Sequence, residues 1–163
     1  MNATDIDKLL IPVVAAHGLE IDRVEVAAAG KRSVIRVFLD GDGPDGLGPS
    51  LDQIADATRS VSVALDDVDI TRGRPYTLEV SSRGVGRPLT EQKHFHRNRG
   101  RLVMVATVDG QTTGRIVAAD ADGLRLDVDG AIEELSWPSV KSAAVQVELN
   151  RSIAEFGDED EED

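Results

Sequence analysis

The stretch Tyr76-Thr77-Leu78-Glu79-Val80-Ser81-Ser82-Arg83-Gly84-Val85-Gly86-Arg87-Pro88-Leu89 divides this chain into two halves with different rhythms. Tyr76, Leu78 and Val80 alternate with an outward Glu79, the period-two pattern of a strand with one covered face. Two glycines and a proline then make a turn, and beyond it the spacing of apolar residues changes.

Upstream, Thr4 with Asp7 resembles a capping box, and Ile6, Leu9, Leu10, Val13 and Val14 follow at helical spacing until Gly18. Pro12 lacks a backbone donor, so a kink or break is expected there. Leu19 and Ile21, then Val24 and Val26, read as a strand whose alternation changes phase at Asp22-Arg23, the mark of a bulge. After Ala27-Ala28-Ala29-Gly30 comes a second strand over 33–39, apolar on much of both faces and therefore expected to be well covered. A glycine-rich loop leads to Ser50, which forms a capping box with Gln53. Ile54, Thr58, Val61 and Leu65 then give a helix one inward stripe. The order α-β-β-α-β predicts a three-stranded sheet with two helices, the second and third strands joined by a crossover.

Downstream the pattern becomes short strands and tight turns. Residues 102–108, 112–119, 124–128, 132–137 and 142–147 are five strand candidates, with Asp109-Gly110, Asp122-Gly123 and Asp129-Gly130 as hairpin corners, the close spacing of a small barrel. A short helix is expected within residues 90–98. The fold class is thus α+β: an N-terminal α/β domain over 1–90, a basic hinge over 91–101, a small β-barrel over 102–150 and a disordered acidic tail over 151–163.

The net charge is −12, and its distribution is uneven. Residues 1–71 carry a net −7, residues 72–101 a net +6, residues 102–154 a net −4 and residues 155–163 a net −7. So acidic a chain is repelled by bare nucleic acid at long range, and any RNA contact has to be local. The basic segment holds Arg72, Arg74, Arg83, Arg87, Lys93, Arg97, Arg99 and Arg101, mostly arginine, the side chain suited to bidentate phosphate contacts. The competing reading is that these arginines neutralise the acidic first domain across its hinge. Aromatic residues make up only 3% of the chain, so base stacking is not the expected mode.

Other chemistries find little support. There is no cysteine, which excludes disulfides, thiolate metal sites and a cysteine nucleophile. No apolar run reaches the length of a membrane span and the N-terminus lacks a signal-peptide layout, so a cytoplasmic location is expected. Gly41, Gly43 and Gly46 spell a dinucleotide fingerprint between a strand and a helix, but Asp42 and Asp45 would repel a pyrophosphate and the third glycine falls short of the helix start. The same loop places Leu51 where a calcium loop needs glutamate. His94 and His96 lack a third ligand and read as solvated histidines. No catalytic set, metal site or cofactor is expected.

The segment 76–89 resembles the signature of the bacterial ribosome maturation factor family RimP: tyrosine, leucine, glutamate, valine and two serines, a turn, then arginine-proline-leucine. Leu10-Ile11-Pro12-Val13-Val14 is similar to that family's first helix, residues 94–100 to its interdomain segment and residues 136–143 to its last barrel turn and strand. Arg83 stands where the family has a turn proline, and Gly86 where it has an acidic residue.

The resemblance implies an Sm-like barrel as the second domain and a monomeric, non-catalytic assembly factor. It also implies, as partners, the small ribosomal subunit precursor, a basic small-subunit ribosomal protein near the decoding region and the rRNA backbone. On that reading the acidic barrel and tail attract the basic protein while Arg72, Arg74, Arg83, Arg87, Arg97, Arg99 and Arg101 approach rRNA phosphates. The barrel strand with Val103 and Val105, together with Trp137, would receive the partner, with strand addition along 103–108. A general RNA-binding Sm-like protein and a nucleotide-binding enzyme using the glycine-rich loop are the alternatives.

Overall fold

The computed structural model describes residues 2–84 and 86–148. The chain divides into two compact units, residues 1–84 and 85–163. The segment 151–163, expected as an acidic tail, lies outside the described residues.

The first unit runs α1 (Ala3–Ala15), β1 (Glu20–Ala29), β2 (Arg32–Asp40), α2 (Leu51–Asp67) and β3 (Tyr76–Ser82). Its sheet has the order β1-β2-β3, antiparallel between β1 and β2 and parallel between β2 and β3. The expected α-β-β-α-β arrangement is therefore present. Helix α1 is capped by Asn2, whose side chain accepts from the Asp5 amide at 2.9 Å, and not by Thr4, which lies inside the helix. The helix is not broken at Pro12. The carbonyl that proline cannot bond is that of exposed Lys8, where water can satisfy it. Gly18, at φ +73, ends the helix: its amide bonds Ala15 O and that of Leu19 bonds Val14 O, a pairing that needs a left-handed residue between them.

The core is built three residues at a time. Ile6, Leu10 and Val14 descend one face of α1, Ala57, Val61 and Leu65 one face of α2, and Ile35, Val37 and Leu39 alternate along β2. Ala57 takes the place expected of Thr58, whose hydroxyl donates to Ile54 O at 2.6 Å instead. The capping box at Ser50 and Gln53 is made in both directions. The register of β1 against β2 slips between Ile21 and Arg23, so Asp22 is the bulged residue and Ile21, Val24 and Val26 all reach the core. The other face of β2 is covered by side chains of its own sheet. Arg23 lies 4.0 Å over the Phe38 ring and Arg36 pairs with Glu79 at 2.7 Å. Stacking guanidinium on apolar surface covers it well enough to account for the apolar sequence on that side.

The second unit begins with α3 (Gln92–Arg97) and continues through β4 (Leu102–Thr107), β5 (Gly110–Asp120), β6 (Gly123–Val128), β7 (Ala131–Leu135), a 3₁₀ turn (Trp137–Ser139) and β8 (Val140–Val145). All five expected strands are present, as one antiparallel sheet of order β7-β6-β5-β4-β8. The expected closure is not found among the described residues: β7 and β8 are the two ends of the sheet and share no ladder. Of the expected corners, only Asp129-Gly130 forms the centre of its turn, with φ of 52 and 90, the mirror-image turn that suits strand twist. In the other two the glycine opens the next strand. Gly123, at φ +144, is one of these, and a Cβ there would lie 2.6 Å from Leu135 O. Gly123→Ala is expected to destabilise the unit by about 1–3 kcal/mol, measured as a shift of the chemical denaturation midpoint; an unchanged midpoint would show that the β6–β7 end yields freely.

Residues 91–101, expected as a hinge, pack into the second unit. Phe95 is fully buried in the core formed by Leu89, Val103, Val105, Ile116, Leu124 and Leu126, and Leu89 exchanges two backbone bonds with Ala143, at 2.8 and 2.9 Å. His94 is 4% exposed, contrary to its reading as a solvated histidine. Its Nδ1 accepts from the amides of Thr90 and Glu91, both at 3.1 Å, satisfying donors at the start of a helix too short to do without them.

Candidate functional site

The cations of the segment 72–101 have different fates. In the first unit, Arg83 turns inward: its Nε donates to Asp22 Oδ1 at 2.9 Å, and both side chains are only 10% exposed. The bulge in β1 delivers Asp22 to that position. The residue that departs from the turn proline is thus a partner for the residue left over by the bulge, and it is a structural member of the unit. Arg72 and Arg74 are exposed, on the turn between α2 and β3. Neither makes an ion pair among the described residues.

In the second unit, Arg99 Nε donates to His96 O at 2.8 Å, and Arg87, Lys93 and Arg97 are half-buried with interactions of their own. Arg101 is exposed. Arg83 and Arg99 are therefore engaged in holding their own fold, which a count of charges cannot register.

The apolar partner residues fare differently again. Val103 and Val105 are fully buried core residues. Moreover β4 is hydrogen-bonded to β5 on one side and β8 on the other, so no partner strand can be added along 103–108. Trp137 is half-buried, its ring 5.4 Å from that of Phe95 and its Nε1 donating to Asp120 O at 2.6 Å. These three residues build the unit. One edge of the sheet is β7, which among the described residues pairs with β6 alone and is exposed at Ala131, Ile132, Glu133 and Glu134.

The glycine-rich loop folds back on itself. Gly46 donates to Gly43 O at 3.4 Å and Gly48 to Asp42 O at 2.9 Å, while a Cβ on Gly43 would lie 1.8 Å from Gly48 O. Two of the amides that would cradle a phosphate are already used. Among the described residues no group of three or more histidines or carboxylates is placed to hold a metal ion, and no helix is long and apolar enough to cross a membrane.

Sequence reasoning missed two cations that belong with Arg72 and Arg74. Lys31 and Arg32 lie at the β1–β2 hairpin, and the parallel register of Ser33 opposite Tyr76 sets that hairpin beside the turn that carries Arg72 and Arg74. No local pattern signals this, because the register of a parallel pair is set by the crossover and not by the residues near the hairpin. The Tyr76 hydroxyl, at the start of β3, donates to Asp66 Oδ1 at 2.8 Å. Burial first, then the hydrogen bond to Asp66 and its charge, push this phenol from 10.0 up to about 12. A folded pKa above the unfolded one means that the contact's contribution is complete below pH 10 and fades as pH rises through about 12.

Both units are net acidic, and each exposes arginine among its carboxylates on a small scaffold of helix and sheet. Residues 9–86 match the family model described as the RimP N-terminal domain. The first unit carries that domain, and its match supports the RimP family of ribosome maturation factors for this part of the chain.

Proposed function

We propose that this protein is a non-catalytic, cytoplasmic maturation factor of the small ribosomal subunit, binding the subunit precursor and a basic ribosomal protein near the decoding region. The match of residues 9–86 to the RimP N-terminal domain carries this reading. The second unit supports the protein partner. Asp120, Asp122, Asp127, Asp129, Glu133 and Glu134 are all exposed along β5, β6 and β7 and their turns, and the β7 edge lies within that acidic surface. A basic extended segment could pair there by backbone hydrogen bonds while its cations meet the carboxylates.

The direct test of function is the ribosome profile of cells depleted of this protein. Small-subunit precursors are expected to accumulate and to disappear on re-expression; a normal profile would overturn the reading. The edge is tested by binding purified basic small-subunit ribosomal proteins to the full chain by calorimetry. Ile132 is 56% exposed on β7, and Ile132→Lys is expected to weaken that binding roughly tenfold without lowering stability. Unchanged affinity would remove the edge from the interface.

A further inference from the structure

We propose that the end of the first unit's sheet where the β1–β2 hairpin meets the turn before β3 is an RNA phosphate-contacting surface, made by Lys31, Arg32, Arg72 and Arg74. This deepens the maturation reading and rests on it for the choice of RNA as partner. Three observations converge here.

The first is position. Ala29 pairs with Arg32 across the hairpin and Ser33 with Tyr76 across the parallel pair, and Ser33 N donates to Pro75 O at 3.3 Å. Four cations remote in sequence thereby share one end of one sheet, and all four are exposed.

The second is availability. Arg83 is paired with Asp22 and Arg99 bonds His96 O, and Arg87, Lys93 and Arg97 each have an interaction of their own, whereas Lys31, Arg72 and Arg74 have no ion pair among the described residues. Arg32 is anchored through Nη1 alone, to Tyr76 O at 3.4 Å and Thr77 Oγ1 at 3.3 Å. Of its five N–H donors, those on Nε and Nη2 remain for a ligand, and the anchor fixes the plane in which they lie.

The third is the backbone that presents them. Asp69 at φ 46, Arg72 at φ 54 and Gly73 at φ 77 are all left-handed. Two of these are not glycine, and holding such residues costs on the order of 1 kcal/mol each unless the surroundings enforce it. Enforcement is visible: Arg72 N bonds Asp69 O at 2.9 Å, Gly73 N bonds Asp69 Oδ1 at 2.8 Å and Arg74 N bonds Thr71 O at 3.2 Å, with Thr71 itself buried. The turn is a built presentation of two arginines, which a solvated connection would not require.

The neighbouring carboxylates are Asp66, Asp67 and Asp69. Asp66 accepts from Tyr76 and Asp69 from Gly73, so two of the three are already engaged in holding the turn. The nearby aromatic, Tyr76, is packed against the unit's own core, so its ring is not offered as a stacking platform. Recognition is accordingly of backbone phosphates in a duplex, independent of sequence. An acidic protein is the competing occupant.

The test uses the full chain and a short RNA duplex of arbitrary sequence, with binding followed by fluorescence anisotropy through a salt series. Lys31→Gln, Arg32→Gln, Arg72→Gln and Arg74→Gln together are expected to lower affinity at low salt at least tenfold and to flatten the salt dependence. A control with the same change in net charge, Lys8→Gln, Arg59→Gln, Arg125→Gln and Lys141→Gln, should lose much less. Replacing the three arginines of the site by lysine should keep the salt dependence, which a folding defect would not. Equal losses in the two glutamine sets, or wild-type binding to polyglutamate with the duplex ignored, would overturn the proposal. The outcomes separate from the maturation reading, because duplex binding through these four residues with a normal ribosome profile in depleted cells would sink that reading and leave the surface standing.

Discussion

Phe95→Ala is expected to unfold the second unit under conditions in which the first remains folded. Phe95 is fully buried among Leu89, Val103, Ile116 and Leu124, and its ring packs at 58° against Trp137 with centroids 5.4 Å apart. Removing a buried phenylalanine costs about 3–5 kcal/mol, from lost transfer energy and the cavity left behind. That is comparable to the whole stability of a small domain. The experiment is favoured by composition: the chain has one tryptophan and one tyrosine. Trp137 lies in the second unit, beside the site of the change, and Tyr76 lies in the first. Denaturation followed by tryptophan emission should therefore move by several kcal/mol while the tyrosine signal holds. A tryptophan transition displaced by less than about 1 kcal/mol would mean that the unit closes over the cavity, and that α3 is not the core element described above.

Arg83→Met should act on the other unit. The Arg83–Asp22 pair is nearly removed from solvent, so deleting the guanidinium leaves a carboxylate held at a bulge with its main partner gone. Breaking such a pair from one side costs about 3 kcal/mol, whereas replacing both partners by apolar groups restores much of it. The expectation is a large loss in Arg83→Met, read by the tyrosine signal, and substantial recovery in the double variant Asp22→Ala, Arg83→Met. A double variant as unstable as the single one would show that the loss came from packing of the arginine stem and not from the orphaned charge. The comparison also bears on function. An arginine spent on Asp22 is not available to phosphate, so RNA binding by any folded Arg83 variant should match that of the parent.

Both variants turn on the different places that the fold gives to neighbouring residues of the sequence. Eight cations within residues 72–101 form one run in sequence, but the fold sends them to different tasks. Arg83 neutralises Asp22, Arg99 bonds the carbonyl of His96, and Arg72 and Arg74 stay outside. The same holds for the apolar residues expected to receive a partner. Val103 and Val105 are expected at a hydrophobic barrel edge, but an apolar strand in the sequence does not say what covers it. Here the cover is the unit's own core.

What the sequence determined by itself was the succession of elements and the place where one unit gives way to the next pattern. Helical spacing in α1 and α2, alternation in β2 and β3, the phase change at Asp22-Arg23 and the capping box at Ser50 are local signals, each produced by side chains a few residues apart. The family was legible for the same reason, since its signature is one continuous strand and turn. Only the tertiary structure decided that β4 is central and β7 is an edge, and that His94 and Phe95 are core. It alone brought Lys31 and Arg32 to Arg72 and Arg74. Those outcomes depend on strand order and register, which are fixed by pairings between residues far apart in the chain, where short-range periodicity carries no information.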